Sequence, residues 1–283
     1  MNTQGVSAAE AKRFDDQGFI FPIRVLDEDQ VRGIRAILED RERMEGGKLS
    51  LQTNRKPHLL MTRLAALVRD PRVLDAVEAL IGPNILCWGS DFFTKAPGDG
   101  KIVSWHQDST YWGLSPPSVV SVWIALSAST PESGCLRVIP GSHREAQLPH
   151  RNTYAENNLL SRGQEVAVQV EEDRAVDIVL KPGEASIHHV RLVHGSQANK
   201  SNDRRIGFVI RYLPTHVKQE IAGRDSATLV RGVDLHNNFD LEPAPESDFH
   251  PDAVAAHARI IEAQGKILFR GAKVGFPLRA NTD

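Results

Sequence analysis

Cysteine is scarce in this chain of 283 residues. Cys87 and Cys135 are its only two, and neither belongs to a C-x-x-C pair. Two thiols do not make a disulfide framework, and both lie in apolar, strand-like runs. Because free cysteine is among the most buried residue types, we expect two buried, reduced thiols.

Long apolar runs are also missing. No segment approaches the roughly 20 apolar residues that a membrane-spanning helix needs. The first residues, 1–14, contain no apolar signal core. The sequence therefore predicts a cytoplasmic protein with no membrane partner.

The chain also lacks a large surplus of positive or negative charge. The 34 Lys and Arg residues nearly balance the 36 Asp and Glu residues, which leaves a formal net charge of −2. Without a basic stripe, no nucleic-acid partner is expected. A chain of this length can bury a core without disulfides, so we expect one domain over residues 1–283. The sequence gives no indication of the oligomeric state.

Residues 8–82 carry helical patterns. Asp27 is placed to cap a helix that runs to about Arg43, with apolar residues repeating on one face. Because an amphipathic helix buries its apolar face, we expect the helices of this part to pack on the remainder of the protein.

Residues 85–215 have a different pattern, with short β-prone runs separated by Gly, Pro, Asp and Ser. This pattern is typical of antiparallel strands in a sandwich or barrel, with a long insertion at 144–170. Residues 216–283 look loop-rich except for a helix near 252–264, and the polar stretch 223–234 is interpreted as a lid or a solvated connector. The predicted fold is mainly β with flanking α: a double-stranded β-helix (jelly roll, cupin-like) core with the N-terminal helices packed on it.

The motif W-H-Q-D places His106 and Asp108 two residues apart in a predicted strand. Side chains at positions i and i+2 of a strand share a face, so both can bind one ion while Gln107 points away. One histidine from a distant strand would complete a set of two imidazoles and one carboxylate. That set leaves three positions of an octahedral metal open and is typical of non-haem iron(II) oxygenases.

Three later histidines are candidates for the third ligand: His188, His189 and His194. An enzyme that uses 2-oxoglutarate needs a cation for the far carboxylate, and arginine binds a carboxylate through two parallel hydrogen bonds. Arg205 lies eleven residues after His194, whereas the same offset from the other two histidines reaches an asparagine or a lysine. Ser196 can share the face of His194 and donate to the same carboxylate. We therefore expect His194 to be the ligand, and the other two histidines to be supporting or core-facing residues.

At these motifs the sequence resembles the phytanoyl-CoA dioxygenase (PhyH-like) family of Fe(II)/2-oxoglutarate-dependent oxygenases. The resemblance covers roughly residues 14–215. It is carried by FDDQGFIFPIRVL (14–26), WHQD (105–108), SVWIALSASTPESGCLRVIPGSH (121–143), LVHGS (192–196) and RRIGFVIRY (204–212). It implies that His106, Asp108 and His194 are the iron ligands and form the catalytic centre.

The resemblance also implies a co-substrate site. Arg205 and Ser196 would bind the far carboxylate of 2-oxoglutarate. Trp123 would line the co-substrate pocket, and Lys95, just before the W-H-Q-D strand, would lie near it. The implied cofactors are Fe(II), 2-oxoglutarate and O2.

By resemblance, the reaction is hydroxylation of an unactivated C–H bond in a small-molecule metabolite, with release of succinate and CO2. Halogenating relatives have a small residue in place of the carboxylate ligand, so Asp108 favours hydroxylation or a related oxidation. Two alternatives keep the same scaffold. One is a cupin-type metal-dependent dioxygenase or isomerase that does not use 2-oxoglutarate, and the other is a non-catalytic small-molecule sensor.

Four further residues are candidates for substrate contact. Tyr111 and Trp112 follow the metal strand into a loop, and loops at the mouth of a barrel tend to line pockets. Asp91 shares a strand face with Lys95, so we expect the two to pair, with a cationic substrate as the alternative partner of Asp91. Arg211 is a candidate for binding a substrate carboxylate.

Overall fold

The computed structural model describes residues 6–221 and 223–272. Within them the helices are α1 (Ala8–Gln17), α2 (Glu28–Met44), α3 (Leu51–Asn54), α4 (Thr62–Leu67), α5 (Pro71–Ile81) and α6 (Pro251–Leu268). Asp27 caps α2 as predicted, because its side chain accepts a hydrogen bond from the backbone N–H of Gln30. The side chain of Gln30 in turn accepts from the N–H of Asp27. This capping box satisfies donors that the first helical turn leaves unpaired.

The strands of the described residues follow in chain order. They are β1 (Phe19–Arg24), β2 (Ile85–Lys95), β3 (Val103–His106), β4 (Leu114–Ser115), β5 (Val120–Ala125), β6 (Leu136–Val138), β7 (His150–Asn152), β8 (Gln164–Val166), β9 (Val176–Ile178), β10 (Glu184–His189), β11 (His194–Ser196), β12 (Arg205–Pro214), β13 (Lys218–Gln219), β14 (Asp225–Arg231) and β15 (Phe239–Leu241). The predicted insertion at 144–170 contains the antiparallel pair β7 and β8.

Two sheets form the centre of the described structure. The large sheet has the strand order β1-β10-β5-β12-β2-β14-β15, and the small sheet has the order β3-β11-β6-β9. Their strands pair antiparallel, apart from the parallel pair β14 and β15. Trp123 and Val209 of the large sheet share one buried apolar cluster with Leu136 and Ile178 of the small sheet. This packing of two antiparallel sheets confirms the predicted jelly roll.

The helices cover the other face of the large sheet, as predicted. Leu38 of α2 and Leu74 of α5 belong to the same buried cluster as Phe208 and Ile210 of β12. Because strand residues alternate between faces, the odd-numbered residues of β12 from Arg205 onward point away from the helices. Among the odd-numbered residues of β12, Arg205, Val209 and Arg211 line the cavity.

The part after residue 215 contains more regular structure than the sequence indicated. β14 pairs with β2 as a strand of the large sheet, and β15 pairs with β14. The interpretation of 223–234 as a lid or solvated connector is therefore wrong: hydrogen bonds to β2 hold residues 228–231 in the sheet. The predicted C-terminal helix is confirmed and longer, since α6 extends to Leu268.

The structure also bears on the two cysteines and on the length of the apolar helices. Cys87 and Cys135 are buried and free, as predicted. No helix in the described part of the chain combines the length and the apolar character that crossing a membrane requires.

Candidate metal centre and cavity

The predicted metal ligands come together on neighbouring strands of the small sheet. β3 and β11 place His106 opposite His194, and the two ring centroids lie 4.1 Å apart. Strand β3 ends at His106 and Asp108 begins a 3-10 helix. The carboxylate therefore reaches the cluster from a turn and not from a continuing strand. One ligand atom from each of the three side chains lies within 4.8 Å of the others.

Backbone carbonyls orient both imidazoles. The Nδ1 atom of His106 lies 2.9 Å from the carbonyl oxygen of Ser104, and the Nδ1 atom of His194 lies 2.9 Å from that of Leu192. A carbonyl oxygen only accepts hydrogen bonds, so each Nδ1 carries the proton and each Nε2 keeps a lone pair. Both rings therefore have the tautomer that can bind a metal through Nε2.

The two carboxylate oxygens of Asp108 have different surroundings. Oδ1 lies 3.4 Å from Nε2 of His106, whereas Oδ2 accepts a hydrogen bond of 3.2 Å from the hydroxyl of Ser121. Burial by itself raises the pKa of this carboxyl, but its interactions with His106, His194 and Arg211 outweigh that effect. The pKa consequently lies below its usual value, and the group is held as the carboxylate that a metal ion binds.

A row of side chains on the large sheet stands behind Asp108. His188, Ser121 and Arg211 lie opposite one another on β10, β5 and β12. Nε2 of His188 lies 4.0 Å from Oδ2 of Asp108, and neither ring nitrogen of His188 has a hydrogen-bond partner among the described residues. Burial lowers the pKa of His188 to about 4, so the ring is neutral at pH 7. The group that could hold a metal ion consists of His106, Asp108 and His194, and His188 lies beside it.

Two buried cations lie farther along the same face of the large sheet. Lys95 of β2 and Arg205 of β12 are opposite each other and are 0% and 2% exposed. The Lys95 ammonium donates to the hydroxyl of Ser196 at 2.6 Å and to the carbonyl of Gln197. Nη1 of Arg205 donates to the carbonyl of Gly134 at 2.7 Å, while its Nε is buried without a partner in the described chain. The groups that these cations contact are thus neutral.

Burial changes the pKa values of both cations. Burial, followed by the charge of Arg205, lowers the pKa of Lys95 to about 7. Burial also lowers the pKa of Arg205 to about 10. The guanidinium carbon of Arg205 lies 5.4 Å from the ring centroid of Trp123. Because a desolvated cation is destabilised unless an anion compensates it, this end of the site favours a carboxylate.

One cavity of about 490 Å³ connects the cluster with most of the other candidate residues. The predicted site residues in its wall are His106, Asp108, His194, Ser196, Arg205, Trp123, Tyr111, Trp112, Asp91 and Arg211. Lys95 adjoins this wall through its hydrogen bond to Ser196. The sequence thus identified residues that the fold brings to a single cavity.

The expected ion pair between Asp91 and Lys95 is wrong. Asp91 pairs with Arg211 instead. The register of β2 on β12 places Val209 opposite Asp91, so Arg211 lies diagonal to Asp91 on the same face, within reach of a long side chain. Lys95 donates its hydrogen bond to Ser196 instead. Arg211 lines the cavity as the partner of Asp91.

Sequence reasoning missed several lining residues. The ring centroids of Trp88 and Trp112 lie 4.9 Å apart. Because Trp88 is on the same strand as Asp91, the sequence could have indicated it as a lining residue. Arg55 and Arg162 also line the cavity. No local motif marks these two arginines, because one comes from the segment after α3 and the other from the insertion.

The donor set fits a divalent first-row metal ion. Two neutral imidazoles and one carboxylate on one side of an ion leave positions open for other ligands. All three donors line the cavity, so such ligands can reach an ion held there. The chemistry of these residues therefore suits Fe(II).

Comparison with known proteins gives a consistent result. The model of the phytanoyl-CoA dioxygenase (PhyH) family matches residues 14–207. A probable alpha-ketoglutarate-dependent hypophosphite dioxygenase of Stutzerimonas stutzeri is 30% identical over 164 residues, which are 55% of this chain and 54% of that protein. The chain thus spans about half the length of this curated relative.

Two solved structures resemble the chain over most of its length. The apo form of ThoJ, a non-heme monooxygenase, has a TM-score of 0.82 and 34% sequence identity, covering 91% of this chain and 96% of that one. CytC3 with Fe(II) and alpha-ketoglutarate, which is 2-oxoglutarate, has a TM-score of 0.65 and 26% identity, covering 87% and 96%. The matches span both the helical part and the two sheets.

Proposed function

The chain belongs to the phytanoyl-CoA dioxygenase (PhyH) family, and from this we propose that it uses Fe(II), 2-oxoglutarate and O2 to hydroxylate an unactivated C–H bond of a small-molecule metabolite. Membership confirms the family that the sequence predicted and supports the predicted enzyme class, a dioxygenase. The main support for the finer proposal is that two buried basic side chains, Arg205 and Lys95, lie at the cavity that contains the cluster of His106, Asp108 and His194.

In this proposal, the cluster of two histidines and one aspartate holds the iron. Iron(II) bound there, together with 2-oxoglutarate and O2, supplies the oxidation of the C–H bond, and succinate and CO2 are released. The carbonyls of Ser104 and Leu192 keep both rings in the ligating tautomer. The hydroxyl of Ser121 donates a hydrogen bond to Oδ2 of Asp108 and orients the carboxylate. Removing a partner of a metal ligand typically costs about 10- to 100-fold in affinity or activity.

The far carboxylate of 2-oxoglutarate would bind at Arg205. A carboxylate there gives the unpartnered Nε an acceptor and compensates the desolvation of both buried cations. The Ser196 hydroxyl accepts from Lys95, so its own proton can be donated to the same carboxylate. Trp123, which is 5% exposed, shields this end from water.

The metabolite would occupy the opposite part of the cavity. This part is bounded by Tyr111, Trp112 and the pair of Asp91 with Arg211. Because Asp108 lines the same cavity and interacts electrostatically with Arg211, a molecule bound here is next to the metal cluster. Enclosed, largely apolar clefts with a few polar groups are the usual form of small-molecule sites.

The experiment that tests the function is a measurement of succinate formed from 2-oxoglutarate by the purified chain with Fe(II) in air. We expect slow formation by the protein alone and faster formation when a metabolite library contains the substrate. Oxidation of a library compound without 2-oxoglutarate would indicate a cupin-type enzyme instead. Binding of iron and 2-oxoglutarate without succinate formation by any mixture would indicate a sensor.

Arg205→Gln is expected to raise the 2-oxoglutarate concentration for half-maximal succinate formation by about 100-fold. Removing one partner of a buried charge pair costs about 2–5 kcal/mol, and about 2.7 kcal/mol corresponds to 100-fold. The measurement is a titration of succinate formation against 2-oxoglutarate.

The matched control for this prediction is Arg204→Gln. Arg204 is the adjacent residue, but its guanidinium pairs with Glu42 of α2 on the helical side. Its removal should leave the half-maximal concentration within about twofold. An unchanged titration for Arg205→Gln, with Arg204→Gln also unchanged, would show that the far carboxylate binds elsewhere.

A further inference from the structure

The metabolite end of the cavity contains an excess of positive charge. Three guanidinium groups line it besides Arg205: those of Arg55, Arg162 and Arg211. The acidic residues in the described wall are Asp91 and Asp108, and Asp108 belongs to the metal cluster. Lys56 also lines the wall, but its ammonium pairs with buried Glu242.

Arg211 and Asp91 neutralise each other in a largely buried pair. Their side chains are 12% and 19% exposed. The guanidinium carbon of Arg211 lies 5.3 Å from the ring centroid of Trp112. Asp91 is thus already compensated and is not available as an unpaired anion for a cationic ligand.

Arg55 adds a second guanidinium to the same pair. Burial lowers its pKa, Asp91 acts in the opposite direction, and Arg211 lowers it further. Arg55 therefore interacts electrostatically with both members of the pair. Arg55 thus adds a second guanidinium beside the pair of Asp91 and Arg211.

Arg162 supplies a third guanidinium from the insertion. It lies 4.4 Å from the ring centroid of Tyr111 and 5.5 Å from that of Phe269. Its Nη2 donates to the carbonyls of Leu268 and Arg270 at the end of α6. Arg162 is 3% exposed, and its Nε has no hydrogen-bond partner among the described residues. A buried donor left unpaired is costly, so this atom indicates an acceptor in the bound state.

We propose that the substrate is an organic anion, with a carboxylate or phosphonate bound by Arg162 and Arg211 and an apolar body against Trp88 and Trp112. This inference rests on the proposed function, since it names the class of molecule that the enzyme would oxidise. Guanidinium groups suit both anions because they bind carboxylates and phosphates through two parallel hydrogen bonds. A cationic molecule would meet a surplus of like charge and an already paired Asp91.

The two indole rings give a direct signal for binding. Trp88 and Trp112 contact each other and both line the cavity, so a ligand packed against either ring changes tryptophan fluorescence whether or not it reacts. We would titrate the full chain, loaded with Ni(II) and saturating 2-oxoglutarate, with four probes that share a phenylalkyl body. The probes are 4-phenylbutyrate, 3-phenylpropylphosphonate, 4-phenylbutyramide and 4-phenylbutylamine.

We expect at least one of the two anions to bind at least about tenfold more tightly than the amide, and the amine to bind most weakly. Arg162→Gln and Arg211→Gln should each lower the preference for the anion over the amide about tenfold, while affinity for the amide changes little. Arg162→Lys should retain the preference, because it keeps the charge. Which anion binds more tightly distinguishes a carboxylate site from a phosphonate site.

Two variants keep the test decisive. Arg231→Gln removes an arginine that pairs with Asp75 and Glu78 of α5 outside the cavity, and it should leave the preference unchanged. If Arg211→Gln does not fold because Asp91 loses its partner, the double variant Asp91→Asn with Arg211→Gln replaces it.

Three results would overturn the inference: equal binding of anions and amide by the natural chain, tightest binding of the amine, or a preference that survives loss of both arginines. Succinate formation is measured on the same preparations. Anion-selective binding without succinate formation would refute the proposed function alone. Succinate formation without anion selectivity would refute this inference alone.

Discussion

Replacing Asp108 with alanine is expected to lower succinate formation by at least about a thousandfold. The variant loses one of three donors and the negative charge that the cluster contributes to a divalent ion. A thousandfold loss corresponds to about 4 kcal/mol, which is within the contribution of a catalytic metal ion. Ser121 and His188 would then face the space left by the carboxylate, and neither supplies an anion.

Two measurements check this prediction. Iron binding by the metal-free protein, followed by equilibrium dialysis, should weaken strongly in Asp108→Ala, and succinate formation should approach background. Asp240→Ala is the control, since this exposed carboxylate on β15 pairs with Arg224 far from the cluster. If Asp108→Ala bound iron and formed succinate as the natural chain does, the metal would have to bind at other residues.

Glu242→Gln is expected to destabilise the protein by about 3–5 kcal/mol, the usual cost of breaking a buried ion pair. Glu242 and Lys56 form such a pair, with side chains 0% and 1% exposed. Glu242 also accepts hydrogen bonds from the hydroxyls of Ser226 at 2.7 Å and Thr228 at 2.8 Å. Glutamine keeps the shape and most of these bonds, so the loss reports mainly the uncompensated ammonium of Lys56.

The same pair makes stability depend on pH. Burial by itself raises the pKa of Glu242, but the charge of Lys56 and the bonds to His58 and Lys56 lower it from 4.5 to about 2. A carboxyl whose pKa falls on folding stabilises the fold above its unfolded pKa, and this stabilisation is lost as pH falls towards 2. The two pKa values correspond to about 3 kcal/mol.

Urea unfolding of the natural chain and of Glu242→Gln at several pH values measures both effects. The difference in unfolding free energy should be largest above pH 5 and should shrink as the pH falls below 4. Glu246→Gln, which removes an exposed carboxylate a few residues away, should change stability by less than about 0.5 kcal/mol. A Glu242→Gln variant as stable as the natural chain at pH 7 would show that the pair contributes little.

Short-range patterns explain why much of the fold could be predicted. The cap at Asp27 and the apolar spacing after it predict α2 because helical contacts lie within four residues. The β-prone runs predict strands for the same local reason. The strand β14 was missed because residues 225–231 are mixed in polarity. Pairing with β2, more than 130 positions earlier in the chain, forms this strand.

The candidate ligands could also be predicted from local spacing. His106 and Asp108 are two residues apart, and Arg205 follows His194 across the single loop that joins β11 to β12. Such offsets are set by strand geometry and loop length, which the sequence displays directly. The expectation that Asp108 shares a strand face with His106 correctly placed its carboxylate near that imidazole, although Asp108 itself lies in a 3-10 helix after the strand.

The sequence by itself determined the jelly roll and the family and singled out the candidate metal ligands, because these follow from short-range patterns and motifs. Only the tertiary structure decided how the charges pair. Because of the register of β12 on β2, Asp91 pairs with Arg211 and not with Lys95. The course of the insertion places Arg162 against Tyr111. Contacts across strands and between distant segments depend on register and loop course, and a one-residue shift would redirect each of these side chains.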